Sequence, residues 1–162
     1  RPNQIKYLGF GFYQKENQNQ WRPKPHLKSV QKFERKLKQL TKRSWNISLD
    51  ERIIRLNQVI RGWINYFKIC DMKMVMNFIS SHLNRRIRCI IWKQWKTPQH
   101  RMKCLIKLGL DSDTAKSCSY SRKSYWQTSH CIPIDRAISN DKLKRKGLVF
   151  PLDHYLKVHT VI

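Results

Sequence analysis

The chain has 162 residues, enough for one domain or two small lobes around a buried core. It carries 34 Lys and Arg residues against 10 Asp and Glu residues, a formal net charge of +24 at pH 7. Because so positive a field repels itself unless a polyanion neutralises it, the composition indicates a nucleic-acid partner, and the lack of an apolar run long enough to cross a bilayer argues against a membrane protein.

The chain holds five cysteines, an odd number, at scattered positions. No Cys-x-x-Cys pair occurs, and Cys89 lies among isoleucines, where a small buried thiol is expected. We therefore expect a reducing, intracellular protein without disulfides or a zinc site. The sequence starts at Arg1 and runs directly into a strand-like segment, which is typical of a piece of a longer protein.

Residues 5–13 have the alternation of a β-strand. Leu8, Phe10 and Phe12 fall on one face, and the glycines between them leave the other face open to close approach. Residues 21–26, with two prolines, suit only an edge strand. The two segments predict a β-hairpin, and because its apolar face is costly to expose, we expect it to fold back onto the chain or to pair with another chain.

A first helix is predicted with Ser29 as its cap, because Val30, Phe33 and Leu37 begin an apolar stripe. The opposite face and its edges carry only basic charge, on Lys28, Lys32, Arg35, Lys36, Lys42 and Arg43. A charged face is usually only solvated, but Glu34 is the one acid between residues 16 and 50. We therefore favour a face that contacts phosphates.

The second helix is predicted to begin at Leu49, since Ser48 and Glu51 have the spacing of a capping box. Apolar residues follow at a three–four spacing over residues 53–67 and should be core. Gly62 lowers helix propensity within this helix, so we expect a close approach there, either by another helix, which we favour, or by a nucleic-acid backbone.

A third helix is predicted from its cap Asp71 to about Trp95. Its apolar face should be buried, and its outer side should carry Ser81, Arg85, Arg88 and Trp92. Three amphipathic helices with short connections predict a three-helix bundle.

The third helix and the segment after it lack acidic residues. Over residues 72–110 the chain has nine Lys or Arg residues and no Asp or Glu. Such a helix cannot neutralise its charge through ion pairs one turn apart, which leaves its positive face for an external polyanion.

The rest of the chain is predicted to form short helices and loops. Thr97 and Pro98 mark the start of a fourth helix, and Gly109 marks its end. Shorter helices are expected at residues 111–119, 139–146 and 151–157.

Residues 121–133 are predicted to form a loop that joins basic and aromatic side chains. Arg122 and Lys123 precede Tyr125 and Trp126, a combination that suits phosphate contact together with base stacking. The aromatic pair could equally anchor the loop to the bundle, since Trp and Tyr are often buried.

The sequence contains no recognisable catalytic site. Its ten acidic residues are dispersed, and no carboxylate pair precedes a strand turn as a two-metal polymerase or nuclease requires. Neither a His-x-x-x-His pair nor a Gly-rich phosphate loop occurs. We expect a protein that binds and positions nucleic acid, with no metal, no cofactor and no catalysis of its own.

Eight short motifs run through nearly the whole chain. They are Tyr7-Leu-Gly-Phe10, Arg22-Pro-Lys-Pro-His26, Lys28-Ser29-Val30, Leu49-Asp-Glu-Arg-Ile53, Ile60-Arg-Gly-Trp-Ile-Asn-Tyr-Phe67, Ile91-Trp-Lys-Gln-Trp-Lys96, Ile106-Lys-Leu-Gly109 and Ser121-Arg-Lys-Ser-Tyr-Trp126. Together they resemble the bacterial group II intron reverse transcriptases, also called maturases. In the last motif Ser124 stands where the family commonly has glycine, and Gln127 where it commonly has arginine.

The resemblance implies a division into three segments. Residues 1–26 are expected to be the end of the reverse-transcriptase palm, residues 27–96 the thumb or maturase X domain, and residues 97–162 a C-terminal helical extension into the DNA-binding region. The expected fold is mainly α, with a thumb-like three-helix bundle between a short β-hairpin and short helices and loops. The family's Tyr-Ala-Asp-Asp motif is absent, so the resemblance does not imply polymerase activity.

The resemblance also implies partners. They are group II intron RNA, an RNA template with its DNA primer, target DNA, and the palm and fingers of a parent protein or a second copy of the chain, in a bacterial cytoplasmic ribonucleoprotein. The predicted nucleic-acid contacts are Lys28, Lys32, Arg35, Lys36, Lys42, Arg43, Arg61, Arg85, Arg86, Arg88, Lys93, Lys96, Arg122, Lys123 and Trp126.

Two other hypotheses stay open. The chain could be one subunit of a split reverse transcriptase whose active site lies on a partner polypeptide. It could instead be a generic basic protein of a ribonucleoprotein particle, which would bind RNAs indiscriminately. A membrane-surface role is disfavoured, because each basic helix commits its apolar stripe to the bundle.

Overall fold

The computed structural model describes residues 7–14 and 20–159. In this part of the chain, one two-stranded antiparallel sheet is followed by nine helices. The elements are β1 (Phe10–Gln14), β2 (Trp21–Pro25), α1 (Leu27–Leu40), α2 (Leu49–Tyr66), α3 (Lys73–Gln94), α4 (Pro98–Lys107), α5 (Ser112–Ser119), α6 (Tyr125–Thr128), α7 (Ile132–Ala137), α8 (Asn140–Arg145) and α9 (Pro151–Val158). The predicted class is confirmed: the fold is mainly α, with a short hairpin first and short helices last.

The chain packs as two compact units. Unit 1 comprises Arg1–Leu40, Ile54–Ser80 and Val149–Ile162, and unit 2 comprises Thr41–Ile53 and Ser81–Leu148. Helices α2 and α3 contribute residues to both units. The three predicted segments follow the layout of a family and not the packing, and that division stays a prediction.

The N-terminal strand is shorter than predicted because the chain turns before it. Tyr7 and Phe10 each donate a backbone N–H to the other's carbonyl, at 3.2 and 2.8 Å. Between them Leu8 and Gly9 have φ angles of 49° and 86°, and positive φ at both central residues defines a type I′ turn. The prediction of a continuous strand over 5–13 is therefore wrong at this turn, and residues 5 and 6 lie outside the described part.

Beyond the turn, the hairpin folds back onto the helices of unit 1. The Phe10 ring lies 4.9 Å from the Phe67 ring, and the Ser29 hydroxyl donates to the Gly9 carbonyl at 3.0 Å. A Cβ on Gly9 would lie 2.9 Å from the Ser29 oxygen, so this contact depends on glycine. Of the outcomes expected for the hairpin, the structure shows fold-back. It also shows that α1 begins at Leu27, so Ser29 anchors the hairpin and is not the predicted cap.

The core of unit 1 is built on α2. Leu56, Ile60 and Ile64 are fully buried, and the Phe33 ring of α1 stacks on the Trp63 ring at 4.5 Å. The predicted apolar stripe of α2 is thus confirmed.

The packing of another helix predicted at Gly62 is wrong, and the alternative, a nucleic-acid backbone, stays a prediction. Gly62 is exposed, and within the described part of the chain a Cβ there would meet no atom within 4 Å. It lies two residues from each of the buried Ile60 and Ile64, which places it on the opposite face of the helix.

Helix α9 completes unit 1 through one buried tyrosine. The Tyr155 hydroxyl donates to the Cys70 carbonyl at 3.0 Å and accepts the Met72 N–H at 3.3 Å. Burial raises the pKa of the Cys70 thiol to about 12, so this cysteine is a structural side chain and not a nucleophile.

Unit 2 contains the C-terminal half of α3. Leu83, Ile87 and Ile91 are buried as predicted, but Arg88 and Trp92, expected on the outer side, are only 7% and 3% exposed. The later chain covers that side, since Arg88 donates to the backbone carbonyl of residue 138 at 2.9 Å. The prediction that Arg88 and Trp92 face outward is therefore wrong.

Most helix ends in unit 2 follow the predicted signals. Thr97 caps α4 by accepting the N–H of residue 100, and Gly109, at φ 100°, ends it. The predicted loop over 121–133 instead contains α6 and the first residues of α7. Ser124 and Gln127 form a reciprocal capping box on α6, so the two residues that depart from the family motif explain this helix. None of the described helices combines the length and hydropathy needed to cross a membrane.

Candidate nucleic-acid interface

The first basic surface lies on α1, in unit 1. Lys28, Lys32, Arg35 and Lys36 are all exposed, and their spacing of three and four residues places them along one side of the helix. Phe33, at 2% exposed, anchors the other side. Among the described residues no ion pair involves these four cations, so the face keeps its charge. We name it the α1 face. Arg61 of α2, also in unit 1, is likewise exposed.

The second basic surface, in unit 2, consists of two neighbouring clefts. The Thr41 cleft has a volume of about 240 Å³, and its charged and aromatic lining is Lys42, Arg43, Arg86 and Trp126. The Trp45 cleft has a volume of about 260 Å³ and is lined by residues that include Arg43, Asn46, Lys93, Gln94 and Lys96. Arg43 lines both, and no described residue lining either cleft is acidic. The structure thus brings together five predicted cations, Lys42, Arg43, Arg86, Lys93 and Lys96.

The loop that carries Lys42 and Arg43 is held by two side chains. Arg52 is 1% exposed and donates to the Trp45 carbonyl at 2.7 Å and to the Lys42 carbonyl at 3.3 Å. Lys93 donates to the Arg43 carbonyl at 3.1 Å. Burial lowers the pKa of Arg52, and its guanidinium lies 5.2 Å from the Trp45 ring centre. No pattern in the sequence predicted this role, because a buried arginine is rare.

Arg86 forms the floor of the Thr41 cleft. Its Nε donates to the Thr41 hydroxyl at 2.6 Å, and its terminal nitrogen lies 3.4 Å from the Thr41 carbonyl. Burial lowers the pKa of Arg86. Since guanidinium groups stay protonated, Arg86 brings a fixed positive charge to the cleft as well as a structural contact.

Arg85 is tied to Trp126. Its guanidinium lies 3.9 Å from the Trp126 ring centre, and it donates to the Trp126 carbonyl at 3.0 and 3.3 Å. Trp126 is 37% exposed, and this cation covers one of its faces. The sequence left two roles open for Trp126, stacking on a base or anchoring the loop. The contacts on this face of the ring favour anchoring. Arg122 and Lys123, just before α6, are exposed.

Arg88 belongs to the interior of unit 2. It pairs with Asp135 and donates to the side-chain oxygen of Asn140 at 3.0 Å, in addition to its backbone contact. Burial lowers its pKa, and the Asp135 carboxylate opposes that shift. We therefore assign Arg88 a structural role in place of the predicted nucleic-acid contact.

Arg101 is a second arginine that the sequence did not single out. Its Nε donates to the Trp95 carbonyl at 3.1 Å, and its guanidinium lies 4.9 Å from the Trp92 ring centre. It fixes the end of α3 beside the Trp45 cleft. The signal available in the sequence was its position soon after two tryptophans, a common setting for a cation over an indole.

An acidic site in unit 1 ties the hairpin to the start of α3. Asp71 accepts the Tyr13 hydroxyl at 2.6 Å and an Arg22 nitrogen at 3.4 Å, and His159 lies 3.8 Å away. Burial alone would raise the pKa of Asp71, but the hydrogen bonds from Tyr13 and Arg22 outweigh it and hold the pKa below its ordinary value. In the part of the chain that the structure describes, no three His, Cys, Asp or Glu side chains are grouped so as to hold a metal ion.

Comparison with known families identifies the centre of the chain. Residues 30–109 match the family model described as the group II intron, maturase-specific domain. That domain is specific to maturases and is not the catalytic palm of a polymerase. The match includes every predicted contact except Lys28, Arg122, Lys123 and Trp126. None of the curated proteins matches the chain.

Proposed function

Because this chain belongs to the group II intron maturases through its domain at residues 30–109, we propose that it binds group II intron RNA and holds it in the form that splices. One observation carries the proposal: the matched domain presents two exposed basic surfaces. The first is the α1 face, and the second is formed by the Thr41 and Trp45 clefts; the charged residues described on both are all basic.

The chemistry of these surfaces suits the sugar–phosphate backbone. Lysine ammonium groups and arginine guanidinium groups attract phosphates and release counterions, which drives binding without reading sequence. Arg52 and Lys93 hold the loop that carries Lys42 and Arg43, and Arg86 holds Thr41 just before it, so the cations of unit 2 meet RNA from fixed positions. Preference for an intron then comes from matching the shape of the folded RNA.

Grip on a template–primer duplex is part of the same proposal. The hairpin that resembles the end of a palm is fastened to α1 through Gly9 and Ser29 and to α2 through Phe10 and Phe67. A palm continuing from this hairpin would be joined to the helices by the same contacts. The chain itself supplies binding, and catalysis of reverse transcription would need that palm.

The test replaces exposed lysines in pairs. Lys32→Ala with Lys36→Ala removes charge from the α1 face, and Lys42→Ala with Lys96→Ala removes it from the two clefts. The matched control, Lys103→Ala with Lys116→Ala, removes the same charge from exposed positions on α4 and α5 outside both clefts. Binding to a group II intron RNA is measured between 50 and 200 mM salt.

Each test pair should weaken binding and flatten the salt dependence. Every lost phosphate contact lowers the log–log slope by roughly 0.7 for single-stranded RNA and by about 0.9 for a duplex. The control pair should change the affinity less. Test pairs that behave like the control would show that neither surface contacts the RNA.

The rival functions predict different results. A generic ribonucleoprotein component would bind an unrelated RNA of the same length as tightly as the intron. One subunit of a split reverse transcriptase would co-purify with a palm-containing chain and gain primer extension when mixed with it.

A further inference from the structure

A third cleft in unit 2 continues the two basic clefts. This Trp95 cleft has a volume of about 250 Å³, and Gln94 lines both it and the Trp45 cleft. Since Arg43 in turn joins the Trp45 cleft to the Thr41 cleft, the three form one track along unit 2. A strand of nucleic acid that follows the basic clefts therefore reaches the third.

The Trp95 cleft differs from the other two in its chemistry. Its walls are mainly apolar, formed by Ile91, Trp95, Leu108, Ile138 and Leu143. Ile91, Ile138 and Leu143 are at most 8% exposed, so packing fixes the shape of these walls. A strand that stays fully paired has no group to place in such a cleft.

The cleft has the size of a single planar group. Pockets that hold drug-sized ligands measure about 300–1,000 Å³, which exceeds the 250 Å³ found here. Trp95, only partly buried, offers an indole surface, and aromatic side chains stack on nucleobases whatever the base. Gln94 is exposed and carries both a donor and an acceptor, the pair of groups that hydrogen-bond the edge of a base.

Two lysines add positive charge to the apolar cleft. Lys142 donates to the Leu108 carbonyl at 2.6 Å and to the Ala137 carbonyl at 2.9 Å, which fixes its ammonium group at the wall. Lys146 is exposed beside it. An apolar slot bordered by cations and adjoining the basic clefts complements a planar base attached to a phosphate, whereas an uncharged apolar side chain would leave the charge of the exposed Lys146 without an anion.

We propose that the Trp95 cleft binds one unpaired nucleobase of the bound RNA. The base stacks on Trp95, its edge hydrogen-bonds with the Gln94 amide, and Lys146 contacts an adjoining phosphate. The inference rests on the proposed function and deepens it: the RNA that unit 2 prefers carries an extruded base and is not a continuous duplex.

The test compares two hairpin RNAs that differ at one position. One carries a single bulged 2-aminopurine, and the other carries an abasic residue in its place. The bulged RNA should bind at least about fivefold more tightly than the abasic RNA, and the 2-aminopurine fluorescence should fall as the base stacks on Trp95. The two RNAs should share the same salt dependence, since their phosphates are the same.

Two variants test whether the base binds in this cleft. Trp95→Leu keeps the wall apolar and removes the indole, so the discrimination between the two RNAs should disappear. Gln94→Trp fills the junction of the two clefts from an exposed position and should have the same effect even if Trp95→Leu fails to fold. Gln99→Ala, exposed on α4, is the control and should discriminate like the parent chain.

The outcomes distinguish failure of the nucleobase site from failure of the proposed RNA-binding function. Equal binding of both RNAs by the parent chain would overturn the inference and leave RNA binding intact. Discrimination that persists in Gln94→Trp would also overturn it, because the base would then lie elsewhere and the cleft would suit another occupant, such as an acidic peptide. A chain that binds neither these hairpins nor intron RNA would overturn both.

Discussion

Arg85 and Arg88 lie one turn apart on α3 and have different surroundings. Arg85 is half-buried, with its guanidinium over the Trp126 ring, whereas Arg88 is 7% exposed and pairs with Asp135 inside unit 2. The same residue type at neighbouring positions thus contributes charge to the surface in one case and holds the interior in the other.

Replacing these two arginines should separate the two roles. Arg88→Ala leaves the buried carbonyl of residue 138 without its side-chain donor and removes one of the two donors to the Asn140 oxygen, so the free energy of unfolding should fall by about 2–4 kcal/mol. Arg85→Ala loses the contact with the Trp126 indole and the hydrogen bonds to the Trp126 carbonyl, but that carbonyl keeps the Ser129 hydroxyl as a donor, so the change should cost only about 0.5–1 kcal/mol. Urea denaturation measures both, and equal losses would contradict the assignment of Arg88 to the interior. A variant with glutamate at both Arg85 and Arg88 would not separate the two roles, because weaker RNA binding could then result from unfolding of unit 2.

Asp71 gives unit 1 an acid-sensitive contact. Because its pKa in the folded chain lies below the ordinary 3.8, the stabilisation is complete above that value and is lost as the pH falls through the folded pKa. Asp71→Asn should therefore be less stable than the parent chain by about 1.5 kcal/mol at pH 7, near the low end for hydrogen bonds to a charged group at a partly exposed site.

The pH dependence checks this assignment. The difference in free energy of unfolding between Asp71→Asn and the parent chain should shrink below pH 3.8. Tyr13→Phe, which removes the closest donor, should reproduce part of the loss at pH 7. A difference that stays constant from pH 7 to pH 3 would mean that the Asp71 charge is not what stabilises the hairpin.

At the scale of single helices, local signals predicted boundaries well. The capping box at Ser48 and Glu51, the Thr97 cap and the Gly109 terminus all lie where the sequence placed them, because each involves only a few neighbouring residues. Ser29 failed as a cap because its hydroxyl binds the Gly9 carbonyl, twenty residues away in sequence, which no local pattern reveals.

Burial of helix faces was harder to predict from the sequence. The stripe of α2 was found because one apolar face meets one core. The face of α3 with Arg88 and Trp92 looked external because no local pattern joins Arg88 to residues 135–140 or Trp92 to Arg101, which are their contacts in the folded chain. For the same reason the charges of Lys42, Arg43, Lys93 and Lys96 were predictable, whereas the clefts that group them were not.

Gly62 offers a test of the fold at the scale of one helix. Because nothing described meets a Cβ at this exposed position, Gly62→Ala should raise the free energy of unfolding by about 0.8–1.0 kcal/mol through helix propensity alone. Gly109→Ala is the matched control and should lower stability, since φ there is 100° and alanine is strained at that angle. A lower melting temperature for Gly62→Ala would contradict this account and indicate that another part of the chain packs closely on Gly62, as the sequence suggested.

At the scale of the whole molecule, the net charge favours binding to any polyanion. With a net charge of +24, the chain gains from any polyanion, and non-specific binding to RNA is expected in every case. Binding as such therefore does not distinguish a maturase from a generic basic protein. What distinguishes them is a preference that survives when the electrostatic attraction is the same.

The most direct test of the central claim is therefore a ratio of affinities. The chain is titrated with the group II intron RNA from its own locus and with an unrelated structured RNA of equal length, at about 150 mM salt, where surface charge is partly screened. The proposed function predicts at least about tenfold tighter binding to the intron, a difference of about 1.4 kcal/mol. Equal affinities with equal salt slopes would contradict the proposed function and indicate a basic protein that binds RNA non-specifically.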